Sequence, residues 1–237
     1  VPSDGPWLPL DGRRFSQAFP TDVSLTPDVV LVFDAALLPE RSLLSRLQTR
    51  ARARPCGPFR DVAEISEEID MVVAAGPGSP TASVTMELLA AHGVKRVVSV
   101  GTAAATSDAT SDGQVCLVAR ATLAAATSPY PGDGGLRCGP LFDQLRSAAD
   151  AQAAALTTLW PFRVDASEVA THAGAVIEME AATLHAVAEV VGVTIESLVV
   201  ISDRYRADGW QVGDATQTRS GLDRAVEIAV AGLNTTR

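Results

Sequence analysis

The sequence predicts an α/β fold in which at least two strands are parallel and joined by a helix. Three observations predict it. Short runs rich in Val, Ile and Leu recur along the chain, at Val29–Phe33, Met71–Ala75, Arg96–Val100 and Leu198–Ile201. Such continuous apolar runs suit strands covered on both faces. Between the second and third runs stand Gly76-Pro77-Gly78-Ser79-Pro80 and a helical stretch from Thr81 to His92, completing a strand–turn–helix–strand unit of the parallel crossover type. Of the 237 residues, 47% are apolar and 20% charged, enough to bury a sizeable core and too apolar for wholesale disorder.

The elements follow in chain order. Residues 1–27 are rich in Pro, Gly and Asp and read as an extended N-terminal arm. Val29–Phe33 is a buried strand. Residues 40–52 read as a helix, with Leu43, Leu44 and Leu47 on one face. Met71–Ala75 is a strand, the glycine turn follows, and the helix from Thr81 stops at Gly93. Arg96–Val100 is the third strand, and Val115–Ala119 a fourth. The Pro/Gly-rich stretch 122–139 is a long loop. Residues 140–156 are Ala-rich with helical spacing, and Leu156–Leu159 reads as a strand. Met179–Val191 has a three-to-four-residue apolar repeat and reads as a helix. Leu198–Asp203 is a strand with a polar end, and Leu222–Leu233 a terminal helix. No linker and no internal repeat divides the chain, so residues 28–237 read as one domain.

Composition narrows the function. A net charge of −9 repels phosphate backbones and disfavours nucleic-acid binding. The three cysteines (Cys56, Cys116, Cys138) are widely spaced, and the three histidines fall in no metal-ligand pattern. A disulfide framework and a built-in metal site are therefore not expected. No apolar run reaches the length of a membrane helix, and Val1-Pro2-Ser3-Asp4-Gly5 lacks the basic-then-apolar signal pattern. Together these predict a cytoplasmic protein with no membrane partner.

The candidate site residues stand at strand ends, where open α/β sheets bind ligands. Gly76-x-Gly78-x-Pro80 opens a helix, where glycines permit close backbone approach and the helix N-terminus favours an anion. The same pattern serves a plain strand-to-helix turn. Ser99-Val100-Gly101-Thr102 offers backbone amides and hydroxyls to a ligand oxygen, or only a tight turn. In Glu178-Met179-Glu180 two carboxylates precede an apolar helix. The helix dipole accounts for acids there. A carboxylate accepting two ribose hydroxyls, with a thioether on the sugar face, accounts for Met179 as well. Asp203 ends an apolar strand, where a carboxyl partly shielded from water suits a proton donor. Taken alone, it reads first as an N-cap or turn aspartate.

Three stretches together resemble the purine nucleoside and uridine phosphorylase superfamily, which also contains the methylthioadenosine/adenosylhomocysteine nucleosidases. They are Ala75–Ser83 with Glu87-Leu88-Leu89, then Gly93–Ala103, then Ile177–Leu184 followed by Val199–Asp203. The resemblance implies a three-layer α/β/α sandwich around a mixed, twisted sheet, a homo-oligomer built from dimers, and a small-molecule nucleoside as ligand. It assigns Glu180 to the ribose hydroxyls, Met179 to the sugar and Asp203 to protonation of the leaving purine. Trp160 or Phe162 is the candidate for stacking on the base.

The departures from the family concern the nucleophile. Phosphorolytic members place an arginine where Ser99 stands, and a Gly-Asp-Pro-x-Arg-like loop where Phe33-Asp34-Ala35-Ala36-Leu37 stands. Arg52 and Arg54 are the candidates for a phosphate contact, reached from a neighbouring subunit. The nucleosidases use a glutamate near the position of Leu38, which Asp34 and Glu40 flank. The Gln–Arg pair of uridine phosphorylases is absent. The expected activity is N-glycosidic cleavage of a purine-type nucleoside, with phosphate or water as nucleophile and no resident cofactor. The alternative is a nucleoside-binding protein without catalysis.

Overall fold

The apolar runs become strands in the computed structural model, which describes residues 24–33, 59–123, 138–158, 174–206 and 209–235. Strand β1 (Asp28–Val32) is buried along its whole length. A hairpin of β2 (Phe59–Ser66) and β3 (Ile69–Ala74) comes next, then helix α1 (Ser79–Ala91) and β4 (Arg96–Ala105). After them come β5 (Val115–Leu123), α2 (Pro140–Ala148), β6 (Ala151–Thr157), β7 (Val176–Glu178), α3 (Ala181–Val191), β8 (Thr194–Arg206), β9 (Gly209–Val212) and α4 (Ala215–Thr235).

Among the described residues the strands form one mixed sheet in the order β2-β3-β1-β4-β7-β6-β5-β8-β9. β1 pairs in parallel with both β3 and β4, the crossover expected from the sequence. β4 also pairs with β8, so β4, β7, β6, β5 and β8 return on themselves as a five-stranded barrel. Helices cover both faces, giving three layers. On one face Leu31, Val72 and Val97 pack against Met86 and Leu89 of α1 and Leu184 and Val187 of α3. On the other, Val30, Val98 and Val200 pack against α2 and α4. The alternation of neighbours along β1 and β4 between these clusters is the two-residue period of a strand.

Caps place the helix ends. Gly192 adopts the left-handed conformation (φ 73°) and closes α3. Asp214 Oδ1 accepts the Thr216 and Gln217 N–H groups at 2.8 and 2.9 Å, which starts α4 seven residues before its expected beginning at Leu222. The Ala-rich stretch 140–156 is not one helix. It divides at Ala149, whose backbone is extended (ψ 153°). Asp150 Oδ2 then accepts the Val115 N–H at 2.9 Å and delivers Ala151–Thr157 to β5 as a parallel partner. Alanine is compatible with both states, and strand pairing decides between them.

Asp28 and Arg96 stand directly opposite each other as the first residues of β1 and β4. Arg96 donates to both carboxylate oxygens, at 2.8 and 2.5 Å, and to the Leu233 carbonyl near the end of α4 at 2.9 Å. The Pro27 carbonyl accepts from Lys95 and Arg96 N–H, so residues 24–27 are tied to this edge. The rest of the N-terminal arm, the helix expected at 40–52 and most of the loop at 122–139 lie outside the described residues. No helix among the described residues is long and apolar enough to cross a membrane.

Candidate active site

The carboxyl ends of β1 and β3 lie level with Val100, because Val32 is registered with both Val73 and Val100, and β4 runs on beyond them to Ala105. β7 runs antiparallel to β4, pairing Ile177 with Ala104. The chain beyond Glu178 therefore descends toward the level of Gly101, and Met179 and Glu180 arrive beside the glycine turn that follows β3.

There the two segments lock together. Glu180 is buried, and its Oε1 accepts the Gly78 N–H at 2.5 Å. Ser79 Oγ donates to the Met179 carbonyl at 3.0 Å. Gly78 has φ 98° and ψ 161°, a conformation essentially confined to glycine. A Cβ there would lie 3.5 Å from Met179 Cε, an ordinary contact, so what excludes a side chain is the backbone angle. Gly78→Ala is therefore expected to cost about 1–3 kcal/mol. A thermal melt checks it, the midpoint falling by roughly 2–4 °C per kcal/mol, and an unchanged midpoint would exclude this backbone geometry in solution.

Glu178 is 4% exposed, and its carboxylate is taken up by Thr157 and the start of α3. Its Oε2 accepts the N–H groups of Glu180 and Ala181, both at 2.7 Å. Its Oε1 accepts the Thr157 hydroxyl, and Thr157 Oγ1 accepts the Ala182 N–H at 2.9 Å. Burial pushes the Glu178 pKa above the ordinary 4.5, and these hydrogen bonds pull against that rise. The sequence grouped Glu178 with the ligand-facing residues. In the fold its oxygens serve the start of α3, the helix-dipole account of acids in this position. Thr157 had no distinguishing signal, being the last residue of an Ala-rich run.

Asp203 occupies an irregularity in β8. Ala103 pairs with Ile201 but Ala104 with Asp203, leaving Ser202 as an extra residue. Such a bulge re-aims the side chains that follow it. Ser202 Oγ donates to Asp203 Oδ2 at 2.5 Å. Asp203 is half-buried, flanks Ala104 on the side opposite Ile177, and faces Val212 of β9 across the next pairing. Tyr205, two residues on, pairs with Trp210. Their rings meet edge to face with centroids 6.3 Å apart and pack on Ala104, Leu156 and Ile177. This aromatic pair beside Asp203 was not singled out in the sequence.

The remaining candidates divide. Gly101 lies at the end of the β1–β4 register, a Cβ there falling 3.8 Å from Phe33 Cβ. Thr102 and Gly76 are half-buried at the same level. Ser99 is 4% exposed in mid-strand. Its hydroxyl bonds Ser197 Oγ at 2.8 Å, which in turn bonds His185 Nε2 of α3 at 2.9 Å. Ser99 thus belongs to a buried chain between sheet and helix, and the fold does not bring it to the turn. Trp160, Phe162, Arg52 and Arg54 lie outside the described residues. Among the described residues no group of three His, Cys, Asp or Glu side chains is arranged to hold a metal ion.

The protein has the nucleoside phosphorylase fold. A purine nucleoside phosphorylase from Toxoplasma gondii, solved in complex with immucillin-H, aligns with a TM-score of 0.71 at 18% identity, over 90% of this chain and 94% of its own. An AMP nucleosidase from Bacteroides thetaiotaomicron VPI-5482 aligns with a TM-score of 0.65 at 18% identity, over 90% and 91% of the two chains. No protein-family model and no curated protein matches the sequence. This is the fold that the motif resemblance implied.

Proposed function

We propose that the protein cleaves the N-glycosidic bond of a purine-type nucleoside. The observation that carries this reading is the joint placement of Glu180 and Asp203 around the end of β4. Glu180 is held at the positive end of α1 by the Gly78 N–H. Asp203 is two strands from Ile177, across Ala104. With strands about 4.8 Å apart, the Ile177 and Asp203 backbones lie about 10 Å apart on either side of Ala104, a separation comparable with the length of one nucleoside.

In this reading Glu180 accepts the 2′- and 3′-hydroxyls of the ribose, and Met179 packs on the sugar. The base lies beside Asp203 and the Tyr205–Trp210 pair, with Trp160 or Phe162 as a further stacking partner. As the bond between sugar C1′ and the base nitrogen breaks, the electron pair leaves with the base. Protonated Asp203 donates to that base, a contribution of about 10²–10⁴-fold for a positioned acid. Water then attacks C1′ of the cationic sugar and its proton returns to the Asp203 carboxylate through solvent, or phosphate attacks C1′ to give the sugar 1-phosphate. For phosphate, Thr102 and the amides of the Gly76 turn, with Arg52 or Arg54, are the contacts on offer, and no resident cofactor takes part.

The test is incubation with a panel of purine and pyrimidine nucleosides, with and without phosphate, scoring free base by chromatography. Base release that scales with phosphate selects phosphorolysis, and release without phosphate selects hydrolysis. No base from any nucleoside under either condition sinks the catalytic reading. Ser99 motivates a second reading, nucleoside binding without turnover. Its hydroxyl is spent on Ser197, at the place where phosphorolytic members carry arginine. Calorimetric binding of a nucleoside that is never cleaved would select it.

A further inference from the structure

Thr157 and Glu178 take no part in the proposed chemistry, yet between them they hold the whole beginning of α3. The first N–H groups of a helix have no partner within it. Here three in succession, on Glu180, Ala181 and Ala182, are accepted by these two side chains. Thr157 is fully buried and Glu178 nearly so, so water does not compete for the bonds. Glu180 is thereby fixed at three points. Its N–H is held by Glu178, its carbonyl accepts the Leu184 N–H at 2.9 Å, and its carboxylate reaches Gly78.

We infer that Thr157 and Glu178 are positioning residues that set the Glu180 carboxylate, and through it the preference of the cleft for ribonucleosides over 2′-deoxyribonucleosides. This rests on the nucleoside reading above. A site built to bond a hydroxyl rejects the analogue lacking it, because the buried acceptor is left unpaired. That discrimination requires the acceptor to be held in place, since hydrogen bonds weaken steeply with misalignment. A loosened helix start lets Glu180 swing, and the 2′-hydroxyl then loses its advantage.

Two near-isosteric variants separate positioning from bulk stability. Thr157→Val removes both the hydroxyl that Glu178 accepts and the oxygen that receives the Ala182 N–H, and it leaves the charges in place. Glu178→Gln keeps one acceptor oxygen and replaces the other with an NH₂, so either the two N–H groups or the Thr157 hydroxyl lose their acceptor. The readout is the ratio of affinities for adenosine and 2′-deoxyadenosine, and for guanosine and 2′-deoxyguanosine, by calorimetry. It is informative whether or not the chain turns substrate over. The wild type is expected to favour the ribonucleoside. In both variants the ratio is expected to fall roughly tenfold, as for loss of about one aligned hydrogen bond, and Thr157→Ser, which keeps the hydroxyl, is expected to restore it. A purely structural role lowers the melting temperature and leaves the ratio intact.

A folded Thr157→Val that keeps the wild-type ratio overturns the inference, and it decides the matter if Glu178→Gln does not fold. A wild type that binds both sugars equally also overturns it, while the nucleoside reading stands. A wild type that binds no nucleoside overturns both.

Discussion

Asp203→Asn is expected to lower kcat/KM for nucleoside cleavage by about 10²–10⁴-fold while nucleoside affinity stays within a few-fold. Asparagine matches aspartate in shape and keeps a carbonyl to accept the Ser202 hydroxyl, which now reaches Asp203 Oδ2 at 2.5 Å. Its backbone can hold the same place opposite Ala104 and Val212. What it cannot do is pass a proton to the leaving base, so the loss belongs to the bond-breaking step. Steady-state rates together with calorimetric affinity make the check. A variant with activity within about threefold of wild type, well under the span of general acid catalysis, would take Asp203 out of the chemistry. Loss of affinity along with rate would make it a base-binding residue.

What could be read in advance follows from where the physics is local. β1, β3, β4 and β8 lie in the middle of the sheet, and their side chains meet apolar neighbours on both faces. Burial on both sides writes an unbroken Val/Ile/Leu run into the sequence. β2 mixes charge with apolar residues at the sheet edge, β7 has three residues and β9 four. β2 and β9 are strands because the other arm of their hairpin supplies a partner, and β7 pairs with β6 and β4 across 21 to 73 residues, which leaves no local trace. The same holds for Ala151–Thr157, which alanine content alone would have continued as helix.

The site divides along the same line. Gly78, Met179, Glu180 and Asp203 were conspicuous as residue types at element boundaries. The bond from Gly78 N–H to Glu180, which joins residues 102 apart, was not. Glu178 illustrates the difference. Two acids in one motif look equivalent in sequence, but Glu178 is the last residue of β7 and bonds Thr157 and the start of α3, whereas Glu180 has left the strand as the residue that caps α3 and reaches Gly78. Ser99 was attractive for its position in the family motif. It sits in mid-strand, where a hydroxyl must find a partner inside the protein, and Ser197 supplies it.

At the opposite end of the strands from Glu180 and Asp203, Asp28→Ala is expected to destabilise the fold by about 3 kcal/mol, the low end for breaking a mostly buried ion pair. The Arg96 side chain is 18% exposed and that of Asp28 8%, so the guanidinium left behind has little access to water. It would keep the Leu233 carbonyl but lose both bonds to the carboxylate. The strain falls on the junction of β1, β4 and α4, so the melting temperature should drop by roughly 6–12 °C for a chain of this size. The attraction within the pair is not itself the source of so large an effect. Taking two charges out of water costs about as much as their pairing returns, and the loss reflects one charge stranded alone. A double variant, Asp28→Leu with Arg96→Met, should therefore melt closer to the wild type than Asp28→Ala does, although it also gives up the bond to Leu233. Because the pair lies at the amino ends of β1 and β4 and the proposed cleft at their carboxyl ends, nucleoside affinity at low temperature should be unchanged in both variants. A melting temperature unmoved by Asp28→Ala would show that Arg96 reaches water when its partner is removed.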